Sequence, residues 1–192
     1  MKVARVLAPV HTLGPGDRVC IWTRGCSKRC GGCISPELQP FSGRDTEESV
    51  IASKLTEAAD LWNCNGLTVS GGDPFEQPEC LLRLLRLARG RFGDILVYTG
   101  MTLEEIEDGK AGESGIGCLC LIDALIDGPY IESRNRPDCA LRGSDNQKIH
   151  IFTPSLKETY EKYLKKERQT EEFIYGSERI AVGIPNKRGE RK

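Results

Sequence analysis

The chain has 192 residues, of which 39% are hydrophobic and 29% are charged, and its formal net charge at pH 7 is −1. This length fits a single domain, residues 1–192, with a core of its own. The balanced charge gives no reason to expect a nucleic acid or an anionic membrane as a partner. No apolar run approaches the roughly 18 residues of a membrane span, and the first residues lack the apolar segment of a signal peptide. We therefore expect a cytoplasmic protein.

The first predicted elements lead into a group of cysteines. Residues 3–10 are largely apolar and favour a strand, and Gly14-Pro15-Gly16-Asp17 has the composition of a turn. Residues 19–23 are predicted as a buried strand. This strand runs into a loop in which three thiols stand at the spacing C-x3-C-x2-C, namely Cys26, Cys30 and Cys33.

The number of cysteines in this loop bears on the kind of metal centre. Nine cysteines in a cytoplasmic chain favour metal or redox use over disulfides, and the two histidines are too far apart in sequence to indicate a histidine-based site. Thiolates select zinc, copper(I) or iron–sulfur centres, and a structural zinc site or an ordinary 4Fe–4S cluster has four protein ligands. Three local cysteines leave one metal position open for a substrate or cofactor. The alternative is a closed zinc loop in which Cys20 supplies the fourth ligand.

Helix and strand signals alternate along the rest of the chain. Asp45 with Glu48, and Thr102 with Glu105, form capping-box patterns that indicate helix starts. The spacing of apolar residues predicts helices at 46–62, from Pro78 to about Gly90, after Thr102 and after Pro154. Strands are predicted at 67–69, 95–98, 119–126, 148–152 and 179–184, with a loop at 109–117 and a frayed tail at 187–192.

This alternation predicts an α/β fold built from βα units with parallel strands. A full eightfold barrel typically needs about 250 residues, so we expect a partial, open parallel βα barrel of about six βα units. In such folds, ligands bind at the C-terminal ends of the strands. The segments that end or follow predicted strands therefore indicate one shared site, and they are the cysteine loop, Ser70-Gly71-Gly72-Asp73, Tyr98-Thr99 and Asp127.

The Gly71-Gly72 pair has a chemical use at such a strand end. Two consecutive glycines let the backbone approach a ligand closely and expose its carbonyl groups. Those carbonyls and Asp73 are suited to hold an ammonium group. A Gly-Gly turn after a strand also occurs for purely structural reasons, and the sequence leaves that alternative open.

The cysteine spacing resembles the signature of the radical S-adenosylmethionine (SAM) enzymes. In that superfamily, three cysteines hold a 4Fe–4S cluster whose fourth iron binds SAM. One electron then cleaves SAM to methionine and a 5′-deoxyadenosyl radical that abstracts hydrogen. A Gly-Gly-Glu or Gly-Gly-Asp motif after the second strand binds the SAM amino group in this family, and Ser70-Gly71-Gly72-Asp73 matches its position.

Further motifs resemble the activases of glycyl radical enzymes, in particular those of anaerobic ribonucleotide reductase. Within residues 12–152 they follow the order of that family: Gly14-Pro15-Gly16, the cysteine loop, and the segments 97–105, 123–130 and 141–148. Gly31 stands where these activases usually have proline, and residues 153–192 extend beyond the typical short activase.

The resemblance implies a set of cofactor residues. Cys26, Cys30 and Cys33 would hold the cluster, and no catalytic residue beyond these ligands is implied. Arg142 and Asn146 would either reach the carboxylate or ribose of SAM or brace the open edge of the barrel. The other residues implied to contact SAM lie at strand ends, and they are Ser70, Gly71, Gly72, Asp73, Tyr98 and Thr99.

The resemblance predicts a radical SAM enzyme that takes hydrogen from a glycine of a partner glycyl radical enzyme. A reduced flavodoxin or ferredoxin is implied as the electron donor. One alternative keeps the radical chemistry but has a peptide or small molecule as substrate, docked by residues 153–192. A second alternative is a non-catalytic scaffold that binds zinc or a cluster.

Overall fold

The computed structural model describes residues 1–176 and 178–186, and the predicted tail at 187–192 lies outside them. Strands β1 to β6 form one sheet and span Val3–Val10, Arg18–Thr23, Gly66–Gly71, Asp94–Tyr98, Ala124–Asp127 and Lys148–Ile151. Helices α1 to α5 span Glu48–Leu61, Pro78–Ala88, Leu103–Glu107, Gly112–Leu119 and Lys157–Leu164. Strands β7 (Thr170–Tyr175) and β8 (Glu178–Gly183) pair with each other. Within the described residues, no helix has the length and apolarity needed to cross a membrane.

The six-stranded sheet is parallel in its centre and antiparallel at both edges. Its strands lie in chain order, and β2, β3, β4 and β5 run parallel. Strand β1 pairs antiparallel with β2, and β6 pairs antiparallel with β5. Among the five links between strands of this sheet, three contain an α-helix: β2–β3 contains α1, β3–β4 contains α2, and β4–β5 contains α3 and α4. The predicted α/β fold is confirmed, but the sheet does not contain six parallel βα units.

The edge strands run antiparallel because their links lack a crossover helix. A parallel connection needs about a dozen residues or more, usually as a helix, and the β1–β2 link is the short segment 11–17. The β5–β6 link contains a 3-10 turn at Glu132–Arg134 but no α-helix that could pack on the sheet. Both edges therefore depart from the predicted βα pattern.

Two local predictions also differ from the structure. Residues 112–117 of the predicted loop and Leu119, the first residue of the predicted strand 119–126, are helical, because α4 packs against α2 and buries Cys118 there. This packing outweighs the low helix propensity of glycine. The Asp45–Glu48 capping box is absent, since Glu47 is the N-cap of α1 and Asp45 pairs with Lys2. The capping box that opens α3 is confirmed.

Helices α1, α2 and α4 cover one face of the sheet, called the helical face below. Successive side chains of a strand point to opposite faces, and each central strand directs apolar residues to the helices. Burying these side chains supplies the main driving force for folding. The strand residues in this cluster are Val19, Ile21, Leu67, Val69, Ile95, Val97 and Leu125.

The C-terminal part of the chain covers the opposite face of the sheet. Leu96 shares a buried apolar cluster with Tyr160 and Tyr163 of α5. Trp22 shares another with Val182 of β8. The extension after residue 152 therefore contributes buried side chains to the core, through α5 and β8.

A buried charge network lies beneath α5, at the N-terminal ends of β2 and β4. Arg18 is completely buried, and its guanidinium donates to Asp94 and to Thr68, each at 2.6 Å. The hydroxyl of Tyr160 donates to Asp94 at 2.8 Å. Burial raises the pKa of Tyr160, so the phenol stays protonated and remains a donor. These contacts attach α5 to the sheet.

Candidate functional site

The C-terminal ends of the four parallel strands meet at one edge of the sheet. Strand β2 leads into the cysteine loop and β3 into Gly72-Asp73, while β4 ends at Tyr98 and β5 at Asp127. The parallel registers place Thr23 beside Gly71 and Tyr98 beside Ile126. The structure thus brings the predicted segments to the edge where open α/β sheets bind ligands.

The cysteine loop is anchored around its first thiol. The backbone N–H of Gly25 donates to Leu38 and that of Cys26 donates to Gln39, each at 2.9 Å. Gly25 has a φ of +97°, and a Cβ at this position would lie 2.5 Å from the ring of Phe41. Glycine is therefore required there. The three thiols of the loop are free and partly exposed, and they belong to Cys26, Cys30 and Cys33.

The chemistry of these three thiols fits a cluster with one open iron. Thiolates are the protein ligands of iron–sulfur clusters, and this loop supplies three of them. Among the described residues, no three Cys, His, Asp or Glu side chains already lie together as a metal site. Burial raises the pKa of Cys26, and the backbone amides of Lys28 and Arg29 oppose this rise.

The position of Cys20 argues against the alternative of a closed zinc loop, in which this residue would be the fourth ligand. This residue lies in the middle of β2, where it pairs with Leu7 on one side and Thr68 on the other. Its side chain is buried, and burial raises the pKa of the thiol to about 12. Cys20 could reach the loop only if β2 lost its pairing with both neighbouring strands.

The two glycines after β3 let this loop lie directly against the backbone that precedes Cys26. Gly71 has a φ of +122°, and a Cβ there would lie 2.2 Å from Thr23 N. A Cβ at Gly72 would lie 2.3 Å from Gly25 O. The close approach that the sequence predicts thus exists, and its partner in the structure is the chain's own backbone.

The carboxylate of Asp73 is turned into the protein. It accepts hydrogen bonds from Phe75 N–H at 3.0 Å, from the Thr99 hydroxyl at 2.8 Å and from Gly100 N–H at 2.9 Å. The residue is only 1% exposed. Burial raises the pKa of Asp73, and these three donors oppose the rise. Asp73 and Thr99 therefore join the ends of β3 and β4.

Three of the predicted cofactor residues carry buried polar atoms without a hydrogen-bond partner among the described residues. They are Tyr98 Oη, Arg142 Nε and Asn146 Oδ1. Two of these side chains are bonded through other atoms. Arg142 Nη1 donates to Gln147 O at 3.1 Å, and Asn146 Nδ2 donates to Pro129 O at 2.8 Å. Buried polar atoms in folded proteins are normally paired, so each of these atoms keeps an unused capacity for a hydrogen bond. Tyr98, however, packs with Tyr160 and Tyr163 on the face of the sheet opposite the helices.

Sequence reasoning misses two side chains and a groove at this edge. Glu76 accepts from Ser27 N–H at 2.9 Å, and Gln77 donates to Arg24 O at 3.0 Å. Their position just after Gly-Gly-Asp-Pro indicates that they lie near the site, but not which way their side chains point. An open groove of about 560 Å³ also borders the cysteine loop, lined by Gly31, Tyr130, Ile131, Glu132 and Ser133.

Replacing Gly71 with alanine is expected to destabilise the fold. A residue other than glycine in a strained backbone region costs roughly 1–3 kcal/mol, and Gly71 has a φ of +122°. The new methyl group would also collide with Thr23 N, 2.2 Å away. Urea denaturation should show a loss of at least about 2 kcal/mol in the free energy of unfolding.

Gly90→Ala is the matched control for that variant, because a Cβ at Gly90 meets nothing within 4 Å. Such a change at a compatible position stabilises the folded state by about 0.4–1 kcal/mol. Equal unfolding midpoints for the two variants would contradict the structural role assigned to Gly71.

Comparisons with known proteins agree with this site. A family model described as "4Fe-4S single cluster domain" matches residues 12–150. The anaerobic ribonucleoside-triphosphate reductase-activating protein of Vibrio cholerae serotype O1 is 32% identical over 148 residues, which cover 73% of this chain and 91% of that protein. The chain belongs to this family of activating proteins. Proteins of the same name from Haemophilus influenzae and Enterobacteria phage T4 are each 33% identical, over 72% and 74% of this chain and 90% and 89% of their own lengths.

Membership in the reductase-activating family confirms the resemblance seen in the motifs, and the chain is an enzyme of the radical SAM activase type. The matched range contains the cysteine loop, the Gly-Gly-Asp loop, Tyr98 and Thr99, and both Arg142 and Asn146. It ends at residue 150, before α5 and the β7–β8 hairpin. The part of the chain that covers the opposite face of the sheet therefore lies outside the family match.

Proposed function

We propose that this activase generates a glycyl radical in a partner enzyme of the anaerobic ribonucleotide reductase type. The observation that carries the proposal is the direct contact between the two cofactor loops, in which Asp73 N–H donates to Gly25 O at 2.8 Å. A ligand held by residues 70–73 would therefore lie beside a metal centre held from Cys26 onward. The names of the family members, which are reductase-activating proteins, support the same partner.

The metal ligands in this proposal are Cys26, Cys30 and Cys33. With a 4Fe–4S cluster bound to them, one electron from reduced flavodoxin or ferredoxin would break a C–S bond of SAM, giving methionine and a 5′-deoxyadenosyl radical that takes a hydrogen atom from the glycine Cα. The residues of the chain bind SAM, orient it and exclude water from the reacting atoms.

The SAM contacts follow from the polar groups at the strand ends. Backbone carbonyls of the segment Ser70–Gly72 suit the amino group of SAM, and the Nε of Arg142 is a donor suited to its carboxylate. Asn146 Oδ1 suits a ribose hydroxyl, because an amide oxygen accepts, whereas Tyr98 packs against the aromatic side chains of α5. Asp73 and Thr99 support this arrangement by holding the two strand ends together.

The proposal also covers the shape of the sheet, the cellular compartment and the partners of the protein. The sheet would curve into an open, partial barrel, with α5 and the β7–β8 hairpin closing the face opposite the helices. The protein would act in the cytoplasm, with no nucleic acid and no membrane as a partner. Its net charge of −1 supports this view, because nucleic acids and anionic membranes bind basic surfaces.

The test of this function is anaerobic. The protein is reconstituted with iron and sulfide, reduced and given SAM, and 5′-deoxyadenosine and methionine are measured by mass spectrometry. We expect the two products in equal amounts. Adding an anaerobic ribonucleoside-triphosphate reductase should produce the electron paramagnetic resonance (EPR) doublet of a glycyl radical in that partner.

The outcomes of this experiment separate the alternatives. Stoichiometric zinc with no cluster and no 5′-deoxyadenosine would support the non-catalytic scaffold. Cleavage of SAM without a glycyl radical in the reductase, but with hydrogen transfer from a peptide or small molecule, would support a modifying enzyme. Only SAM cleavage together with the partner radical supports the activase function.

A further inference from the structure

The carboxylate of Glu76 holds the residue that follows the first cysteine. The backbone N–H of Ser27 donates to Glu76 Oε1 at 2.9 Å, and the Ser27 hydroxyl donates to the same oxygen. Ser27 is exposed and Glu76 is partly buried. One carboxylate oxygen of Glu76 thus accepts hydrogen bonds from both the backbone N–H and the hydroxyl of the residue directly after Cys26.

This contact holds the backbone directly after the first cysteine of the loop. Ser27 is the residue that follows Cys26, and both its N–H and its hydroxyl are bonded to Glu76. Partners outside the set of direct metal ligands orient those ligands, and their loss weakens metal binding.

Glu76 belongs to the same short turn as the proposed SAM loop. The 3-10 turn Pro74–Glu76 begins at its N-cap, Asp73, whose side chain accepts from Phe75 N–H. Asp73 is in turn bonded to Thr99. A rigid, proline-containing turn therefore connects the Gly-Gly-Asp loop at one end to the cysteine loop at the other.

We propose that Glu76 is a positioning residue that holds the turn after Cys26 and so couples the SAM-binding loop to the geometry of the cluster. This inference rests on the proposed function. Glu76 acts through Ser27, to which it is bonded directly. None of the motifs that carry the family resemblance gives Glu76 a role.

The experiment compares two substitutions of Glu76 with a matched control. Glu76→Ala removes the acceptor, and Glu76→Gln keeps an acceptor oxygen without the charge. Glu79→Ala removes an acidic side chain from an exposed position on α2, three residues further along the chain. Each protein is reconstituted anaerobically and desalted. We then measure iron and sulfide per chain, the rate of cluster loss to a chelator, and the EPR spectrum of the reduced cluster with and without SAM.

We expect Glu76→Ala to lose its cluster about tenfold faster than the parent, at the lower end of the roughly 10–100-fold effects of outer-shell partners. The change that SAM causes in its EPR spectrum should also differ from that of the parent. Glu76→Gln should stay close to the parent in both the rate of cluster loss and the change that SAM causes in the EPR spectrum. Glu79→Ala should match the parent in both. Equal chelation rates and spectra for Glu76→Ala and Glu79→Ala would overturn the inference.

Two further comparisons keep the result decisive. If Glu76→Ala does not fold, Ser27→Ala removes the hydroxyl donor alone, and cluster loss should accelerate roughly fivefold, the equivalent of one ordinary hydrogen bond. An unchanged rate in Ser27→Ala would then overturn the inference. If the parent binds a cluster but does not cleave SAM, the proposed function fails, while the chelation rates of the variants still test the role of Glu76.

Discussion

The Cys26→Ala variant is expected to form no 5′-deoxyadenosine above background. Cys26 is the loop cysteine whose own backbone N–H is bonded to a neighbouring segment, at Gln39, and the Gly-Gly-Asp loop contacts the residue before it. Loss of an outer-shell partner typically costs roughly 10–100-fold in metal affinity or activity. Loss of a direct ligand from a set of three should therefore reduce SAM cleavage by more than about 100-fold.

The measurement uses reconstituted protein and reports iron per chain beside the amount of 5′-deoxyadenosine. Cys120→Ala is the control, because Cys120 is an exposed free cysteine outside the loop. It should retain the cluster and the parent rate. Full activity in Cys26→Ala would contradict the ligand assignment, and equal losses in both variants would point to general damage of the protein.

The Asp94→Ala variant is expected to lose about 3–5 kcal/mol of folding free energy, the usual cost of breaking a buried ion pair by removing one partner. Arg18 is completely buried, and its ion pair with Asp94 has a length of 2.6 Å. Without Asp94, the guanidinium would remain in the core with its charge uncompensated. The hydroxyl of Tyr160 would also lose its acceptor. This loss is a large fraction of the total stability of about 5–15 kcal/mol typical of domains.

Urea or thermal unfolding of apo protein measures this effect. Asp60→Ala is the matched control, because Asp60 pairs with Arg91 on the surface and its side chain is 66% exposed. Surface pairs contribute at most about 1 kcal/mol, so this variant should unfold near the parent. Similar midpoints for Asp94→Ala and the parent would show that the network beneath α5 does not hold the extension to the sheet.

Some features that depend on neighbours in sequence are predictable, although the Asp45–Glu48 capping box is absent. The capping box of Thr102 and Glu105 lies within one helical turn, and Pro78 begins α2 as expected. The direction of β1 and β6 is not predictable from their own residues, because it depends on how the connecting segments pack. The helical state of α4 is also not predictable from its own residues. Its glycines predict a loop, and it forms a helix because it packs on α2.

The candidate site divides in a similar way. The sequence predicts that the cysteine loop and the Gly-Gly-Asp loop share an edge, because both follow strands that run parallel. It does not predict that the Asp73 carboxylate turns toward Thr99 and Gly100. It also leaves open which way the side chain of Glu76 points, since an exposed glutamate would fit the same pattern.

Three thiols within one loop and a turn after a strand are local features, so the residues of the chain indicate thiolate ligands and the order of the motifs without any knowledge of the fold. What covers the face opposite the helices, where α5 and β8 pack, and what holds the cysteine loop to the Gly-Gly-Asp loop are visible only in the folded protein. Those arrangements depend on contacts between residues far apart in the chain, such as Tyr160 with Asp94 and Ser27 with Glu76. Burial and hydrogen bonding select such pairs only once the sheet has brought them side by side.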